Sequence, residues 1–453
     1  MTRHADGRSG VGRRVLGQAV PALGVLAAEP LYLLWDTAVV GRLGALDLAG
    51  LAVGALVLAT VSTQLTFLSY GTTARAAQRF GAGDPAGAVR EGVAATWIAL
   101  GVGLALLALV QLLCDPVAAA VADGSDIAAA AAGWLRVAAC GIPLILVTMA
   151  GNGWLRGVQR PRAPVAFVIA GLSLSALLCP ALTHGLWGAP RLGLVGSAWA
   201  NLAGQCVSGV AFLVALVRSR PDGVGRRAFL APRWSLMAAQ LRLGRDLIVR
   251  SLSFQVCFVS AGAVAARVGA EAVGAHQIAM QVWNFLSLLL DSLAIAAQTL
   301  VGAALGAGRP DAARSIGVRV TGWSAGVAVV VAVALAAGAG VVPRVFTAAP
   351  GVLSALAVPW WFLVGMVPVA GVVFALDGVL LGAADAAYLR TTTLAAALVG
   401  FLPLIWLSYG LGWGLTGIWS GLALFVVLRF CAVLTRFRGT AWQGSAIPAN
   451  RTL

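Results

Sequence analysis

The sequence has no lysine and little charge of either sign. Charged side chains make up 10% of its 453 residues, whereas hydrophobic side chains make up 60%. A soluble domain is about 25% charged, so this composition excludes a soluble globular protein. The chain is predicted to be an all-α integral membrane protein. At about 20 residues per helix plus a short loop, it has room for about a dozen spans.

The motifs of enzymes and metal proteins are also missing. The six cysteines are scattered and contain no C-x-x-C pair, so they predict neither a disulfide framework nor a metal site. We find no phosphate-binding loop, no G-x-S-x-G and no paired metal ligands. We therefore expect no enzymatic activity, no bound cofactor or metal, and no use of ATP as the energy source.

Twelve apolar segments are long enough to predict membrane spans. The second and eighth exceed about 20 residues, so we expect them to tilt or to project from the bilayer. The polar stretch 218–243 predicts a cytoplasmic linker between an N-terminal six-helix lobe (1–217) and a C-terminal six-helix lobe (244–453). The predicted spans are 14–40, 47–72, 87–111, 127–151, 163–186, 193–217, 244–267, 272–304, 314–341, 352–381, 387–410 and 414–435.

Arginine is distributed unevenly between the loops. We assign 25 arginines, Arg429 among them, to the termini and alternate loops on one side, and five to the loops on the other. Positive loops stay inside, so both termini are predicted to be cytoplasmic in a multi-pass protein of the inner or plasma membrane. Loop arginines also explain the net charge of +15. The expected partner is therefore the lipid bilayer and not nucleic acid.

The two halves of the sequence repeat each other. The turn 81–85 (GAGDP) recurs at 306–310 (GAGRP), Arg42 recurs at Arg267, and the Gly153–Gly157 pair recurs at Gly378–Gly382, all 225 residues apart. This spacing covers six spans, so both halves have the same orientation. The repeat predicts two six-helix bundles related by a pseudo-two-fold axis along the membrane normal, with the substrate path between them.

Two carboxylates interrupt the first apolar run. Glu29 and Asp36 are seven residues apart, which places them on one helix face about 10 Å apart along the axis. Carboxylates in hydrocarbon are costly and usually face a bundle interior or a wet cavity. Pro30 lies between them and predicts a kink. The alternative is that both acids are solvated at the outer interface. Because the repeat equivalent of Asp36 is Ala261, the fold does not require this acid.

The C-terminal lobe has its own polar residues. Arg250 is a cation within span seven and needs a partner, for which Asp291 and Asp377 are the candidates. A structural ion pair and a second ion site are both open. Further polar residues within spans are cavity-lining candidates or make hydrogen bonds between helices. They are Gln64, Asn152, Ser175 and Asn201 in the first lobe, and Gln277, Gln281 and Asn284 on one face of span eight.

Several of these segments together resemble the multidrug and toxic compound extrusion (MATE) family, in particular its DinF-like branch. They are 36–41 (DTAVVG), the two repeated turns, 275–277 (AHQ), Asp291 with 294–298 (AIAAQ), and 377–378 (DG). The resemblance implies two six-helix bundles and cation-coupled antiport of organic compounds, with Asp36 as the coupling site. Many relatives carry another acid before a proline on helix five. Here Cys179 precedes Pro180, and Ser175 stands where those relatives have Asn.

These observations predict a secondary antiporter that exports amphipathic or cationic organic compounds. We expect Asp36, helped by Glu29, to couple export to protons, with sodium as the alternative. Loss of the helix-five acid removes an oxygen ligand that sodium needs. The alternative function is a flippase for a lipid-linked precursor, which predicts several cavity arginines where only Arg250 is a candidate. A membrane enzyme is the third interpretation. We expect a monomer that binds small organic molecules.

Overall fold

The structure is a computed structural model that describes residues 6–122, 124–220 and 225–445. It is 89% helical. The chain divides into two compact units, which we describe separately. The N-terminal unit is Pro21–Gly244, and the C-terminal unit consists of the described parts of Met1–Val20 and Arg245–Leu453. α10 begins within the predicted linker 218–243, and residues 221–224 of that linker lie outside the described residues. The limits of the two lobes therefore stay a prediction.

Most helices of the first half are long and apolar, as the hydropathy predicts, whereas α3 is polar and α9 has five residues. α1 continues through Pro21 and Pro30, so Pro30 leaves one carbonyl of the preceding turn without its usual donor. The helices described here are α1 (Asp6–Val40), α2 (Ala45–Gln64), α3 (Phe67–Gly81), α4 (Pro85–Val121), α5 (Ser125–Ala139), α6 (Ile142–Gly157), α7 (Arg162–His184), α8 (Leu194–Arg218) and α9 (Arg226–Leu230).

The second half has the same plan with longer continuous helices. A π-helical turn, Ala397–Phe401, joins α15 to α16. The described helices are α10 (Trp234–Val268), α11 (Ala270–Gly306), α12 (Pro310–Ala337), α13 (Val342–Phe346), α14 (Pro350–Gly382), α15 (Ala386–Ala396), α16 (Leu402–Leu411) and α17 (Gly414–Arg438).

Twelve predicted spans have counterparts among the described helices. Ten helical segments are long and apolar enough to cross a membrane, and α5 with α6 makes an eleventh span with a 48° bend. The counterpart of the remaining predicted span is the shorter apolar helix α2. The second span was predicted as one helix over 47–72, and this is wrong. The chain breaks after Gln64, so the apolar helix α2 is followed by the separate helix α3. Its repeat counterpart α11 is continuous.

The repeated glycines mark the same helix crossing in both units. A side chain at Gly153 on α6 would collide with the carbonyl oxygen of Ser69 on α3. A side chain at Gly378 on α14 would collide with the carbonyl oxygen of Ala294 on α11, and both residues of this pair lie 225 positions later. Small residues let the two backbones approach closely. The same crossing therefore organises each half.

The turns after these crossings are also repeated. Gln159 and Ala384 are non-glycine residues with left-handed backbone, at φ 59° and 62°, and they are 225 positions apart. Each follows the repeated glycine pair and directs the next backbone N–H at a free carbonyl of the helix end. The Arg160 N–H donates to the Leu155 carbonyl, and the Asp385 N–H donates to the Leu380 carbonyl. The structure therefore confirms the repeat at backbone level, where side-chain identity is lost.

Candidate functional site

Asp36 lies inside the N-terminal unit at the junction of α1 and α7. Its side chain is 1% exposed. The Cys179 thiol on α7 donates a hydrogen bond to Asp36 Oδ1 at 3.1 Å. Val39, Cys179 and Ala200 form a small apolar cluster around this contact. The carboxylate is thus held away from solvent, and a soft sulfur occupies one side of it.

Further hydroxyl groups complete the surroundings of Asp36. Ser197 on α8 lies beside the carboxylate. The indole nitrogen of Trp134 on α5 donates to Ser197 Oγ at 2.9 Å, which leaves the serine proton free for another acceptor. Tyr32, one turn before Asp36, is buried close to it, and its hydroxyl has no hydrogen-bond partner among the described residues. We call Asp36, Tyr32, Cys179 and Ser197 the Asp36 site.

Close packing of α7 on α8 fixes the position of Cys179. Gly171 and Gly204 face each other so closely that a side chain on either would collide with the backbone of the other. One turn before Cys179, the Ser175 hydroxyl donates to the Ala200 carbonyl at 3.0 Å. Trp35 ties α1 to the same helix, because its indole nitrogen donates to the Ala176 carbonyl at 3.0 Å. The thiol therefore meets Asp36 from a rigid helix pair.

Glu29 does not join the Asp36 site. Although the two acids are on one helix, Asp36 is buried and Glu29 is exposed. Glu29 makes no hydrogen bond or ion pair with any described residue. The spacing of seven residues predicts a common helix face, but of the two acids only Asp36 contacts α7 and α8. A direct interaction between the two carboxylates has no support in the structure.

The acid of the C-terminal unit has a different environment. Asp377 on α14 is 5% exposed, and one of its carboxylate oxygens accepts hydrogen bonds from two arginines. Arg250 on α10 donates to Asp377 Oδ2 at 2.7 Å, and Arg429 on α17 makes a short hydrogen bond to that oxygen. Both guanidinium groups also lie over the ring of Phe254. We call these charged residues the arginine–aspartate cluster.

Arg429 corrects one sequence prediction. We counted it among the loop arginines, and we named Arg250 as the only arginine candidate for an internal site. Arg429 is 5% exposed and lies within α17, in contact with Asp377 and the ring of Phe425. The cluster therefore holds two cations and one anion. Asp377 Oδ1 and the Nε atoms of both arginines have no hydrogen-bond partner among the described residues.

The remaining candidates are spread over both units. Asn152 on α6 is buried, and its Oδ1 has no partner among the described residues, whereas Asn201 on α8 is half-buried. Asp291 on α11 is half-buried. The side chain of Gln64 lies outside the described part of the chain. The polar row on α11 is exposed on one side of that helix: Gln277, Gln281 and Asn284.

Sequence reasoning missed several members of these sites. Tyr32 could have been predicted, because it precedes Asp36 by four residues and so shares its helix face. Ser197 directly follows Gly196 near the start of α8, but nothing in the sequence placed it beside α1. Arg429 was hidden by Arg436 and Arg438, which extend the same arginine run to the end of α17.

Comparison with known proteins decides the family. The MatE family model matches twice, to residues 21–181 and 247–407, so two copies start 226 residues apart. The chain belongs to the MATE family. This double match agrees with the internal repeat of 225 residues. As a MATE protein it is a multi-pass membrane transporter for the efflux of toxic compounds, and not an enzyme.

Relatives of this MATE protein align over nearly its whole length. Protein DETOXIFICATION 44, chloroplastic, from Arabidopsis thaliana is 31% identical, over 93% of this chain and 81% of the relative. DNA damage-inducible protein F from Escherichia coli (strain K12) is 29% identical, over 91% and 88%. The latter agrees with the DinF-like branch suggested by the motifs.

Solved structures show the same fold. An outward-facing multidrug resistance MATE family transporter of the MOP superfamily superposes with a TM-score of 0.83 at 21% identity, over 96% of both chains. The predicted architecture, two six-helix bundles, is therefore confirmed.

Proposed function

We propose that this MATE protein is a secondary antiporter that exports amphipathic, often cationic, organic compounds in exchange for protons, with Asp36 as the main coupling site. Small organic molecules are the proposed substrates. The family establishes efflux, and the proposal adds the coupling ion, the substrate charge and the residue. It rests on one observation above all: Asp36 is buried without a cationic partner.

The charge of Asp36 requires compensation from outside the protein. No described arginine or histidine pairs with it, in contrast to Asp377. An isolated buried carboxylate is very unfavourable and binds a cation or a proton instead. The hydrogen bond from Cys179 stabilises the charged form only in part. Asp36 is therefore suited to load and release a mobile positive charge.

The surrounding atoms favour a proton over sodium as that charge. Hard cations bind to several convergent oxygens, and thiols are soft ligands. The Cys179 sulfur lies 3.1 Å from Asp36 Oδ1, where a sodium site needs another oxygen. A proton needs no such set of ligands. The hydroxyls of Tyr32 and Ser197 supply hydrogen-bonding groups for both charge states of the carboxyl.

Protonation would change the structure through α1. Neutral Asp36 no longer needs polar compensation, so α1 packs differently against α7 and α8. Pro30 weakens the helix six residues earlier because one backbone hydrogen bond is missing there. We propose that α1 bends at this point when Asp36 is neutral and thereby closes the substrate site. Proton and substrate then favour opposite states, as exchange requires.

Other residues have secondary roles in this proposal. Glu29 is exposed, unpaired among the described residues and not in contact with Asp36, so we propose that it exchanges protons with the surroundings and passes them to Asp36 only indirectly. Gln277, Gln281 and Asn284 line the substrate path, which their exposure on α11 permits. Asn152, Ser175, Asn201 and Gln64 are the corresponding candidates in the first half. The arginine excess supports cytoplasmic termini and an inner or plasma membrane location, and we propose a monomer.

Transport in everted vesicles tests the proposal. We expect a pH gradient, but not a sodium gradient, to drive uptake of a fluorescent organic cation. Asp36→Asn should abolish driven uptake, and Glu29→Gln should reduce it in part. Asp311→Asn is the control, because it makes the same chemical change at an exposed acid in the first turn of α12. Full activity of Asp36→Asn, or uptake driven by sodium alone, would contradict the proposal.

A flippase for an anionic lipid-linked precursor is the second candidate. The observation that favours it is the arginine–aspartate cluster, which has an excess of one positive charge and unpartnered Nε atoms. Arginine is suited to bind phosphate or carboxylate groups. In the same vesicles, a fluorescent anionic lipid that moves between leaflets only when the protein is present, with no cation uptake, would favour this function.

A further inference from the structure

One end of the N-terminal unit contains a hollow that the transport mechanism does not use. Its volume is about 300 Å³, within the lower range of ligand sites. Three connections meet there: the turn from α3 to α4, the turn from α6 to α7, and the end of α8. We call it the arginine hollow. Its lining includes Trp154, Arg160, Arg218 and Arg220.

The positive charge of the arginine hollow is uncompensated. Arg160, Arg218 and Arg220 are exposed, and none of them forms an ion pair with a described residue. The nearby acids are already engaged: Glu91 is fully buried against Arg75, and Asp84 caps α4 through the Gly87 amide. Three exposed like charges around one hollow repel each other weakly, and an anion bound between them would turn that repulsion into attraction.

A buried donor in the hollow also lacks an acceptor. Trp154 is 2% exposed, and its indole nitrogen has no hydrogen-bond partner among the described residues. Indole is a donor only, and a buried donor without an acceptor is unfavourable. The same ring packs over Gly92, where a side chain would collide with it, so its position is fixed. Because the indole N–H is itself covered, an oxygen of a bound ligand satisfies it only if the side chains around the hollow shift.

The equivalent region of the C-terminal unit is closed by its own side chains. The counterpart of Arg160 is Asp385, and it pairs with Arg436 at 2.8 Å. Trp442 is fully buried, stacks on Phe437, and donates to the Phe437 carbonyl at 3.2 Å. The guanidinium of Arg314, the counterpart of Val89, donates to the carbonyls of residues 438 and 439. In the C-terminal unit the charged groups and N–H donors named here have partners within the protein. In the arginine hollow the three arginines and the Trp154 N–H do not.

We infer that the arginine hollow binds the phosphate group of an anionic ligand, with the headgroup of an anionic membrane lipid and a free phosphate compound as its two sources. Arginines bind phosphate oxygens through paired N–H groups. Basic pockets between membrane helices are typical sites for anionic headgroups. Phe80, Val89 and Val158 add an apolar wall. This site is independent of Asp36 and of the proposed transport cycle.

Ligand-dependent melting of the purified full chain in detergent tests the inference. The probes are short-chain phosphatidylglycerol, phosphatidylcholine of the same chain length, and inorganic phosphate. We expect phosphatidylglycerol to raise the melting temperature in a saturable manner and phosphatidylcholine to have much less effect. Saturation by inorganic phosphate in competition with the lipid would assign the site to a soluble ligand instead, which also supports phosphate binding.

Two matched triple variants show where the probe binds. Replacing the three arginines of the hollow by glutamine should weaken binding by about a hundredfold or more, since each hydrogen bond to a charged group contributes about tenfold or more. The control removes the same charge from three exposed, unpaired arginines outside the hollow and should change binding by about twofold at most. The variants are Arg160→Gln/Arg218→Gln/Arg220→Gln and Arg162→Gln/Arg227→Gln/Arg233→Gln.

Trp154→Phe is the second variant and keeps the ring over Gly92 without its N–H. We expect binding about tenfold weaker, with the melting temperature of the free protein little changed. Equal losses in the two triple variants would overturn the inference, because they would reflect charge alone. So would the absence of a saturable shift with both phosphatidylglycerol and inorganic phosphate.

Discussion

Asp36 and Asp377 are buried acids in the two halves of this MATE protein, and their charges are compensated in opposite ways. Asp36 is met by a thiol and hydroxyls, whereas Asp377 is met by two arginines. The acids are not repeat equivalents: Ala261 corresponds to Asp36, and Asn152 corresponds to Asp377. The duplicated fold therefore requires an acid at neither position. One half has a carboxylate that is free to exchange its charge, and the other has a carboxylate whose charge is fixed by partners.

Removal of Asp377 should have the largest effect on stability. Asp377→Ala leaves the buried Arg429 and the half-buried Arg250 without an anion, and breaking a buried ion pair costs about 3–5 kcal/mol in comparable cases. We expect the largest fall in melting temperature among single substitutions at these two acids, measured by thermal unfolding in detergent. Asp36→Asn should change it much less. A smaller loss for Asp377→Ala than for Asp36→Asn would break the comparison.

Removal of one arginine should have an intermediate effect. Arg429→Gln loses a charged hydrogen bond and the contacts with Phe254 and Phe425, at about 1.5–3 kcal/mol. Arg250→Gln should cost less, because the Arg250 side chain is 16% exposed and that of Arg429 is 6% exposed. The measurement is a double-mutant cycle with Asp377→Asn. Additive losses in that cycle would show that Asp377 does not hold the arginines.

Substitution of Cys179 should have the smallest effect. Cys179→Ser keeps a donor for Asp36 and should preserve proton-driven uptake, whereas Cys179→Ala loses a hydrogen bond that contributes about 0.5–1.5 kcal/mol. We expect Cys179→Ala to alter the pH at half-maximal uptake, with protein level and melting temperature as controls. Identical pH profiles of the alanine variant and the wild type would show that the thiol does not influence Asp36.

The sequence predicts the repeat and the helices better than the sites. Hydropathy and the 225-residue spacing depend on local composition, and both survive in the structure. The break after Gln64 was missed, because the apolar run of α2 continues into the first residues of α3 and no proline marks the interruption. Conversely, Gln159 and Ala384 have the same left-handed backbone conformation at equivalent positions of the repeat. Because they are different residue types, the sequence does not show this correspondence.

Burial of individual polar residues depends on tertiary packing. Helix periodicity placed Glu29 and Asp36 on one face, but of the two acids only Asp36, beside α7 and α8, is buried. The cluster around Asp377 joins α10, α14 and α17, so Arg250 was recognised as needing an acid while Arg429 was taken for a loop residue. Spacing along one helix cannot show which neighbouring helix supplies the partner.

Proton release on substrate binding tests the central claim most directly. A fluorescent organic cation is added to the purified protein in weakly buffered solution, and a pH indicator reports the protons released per cation bound. Exchange at Asp36 predicts about one proton per cation for the wild type and for Asp311→Asn. It predicts no release for Asp36→Asn, although that variant still binds the cation. Release from Asp36→Asn equal to that of the wild type would contradict the account.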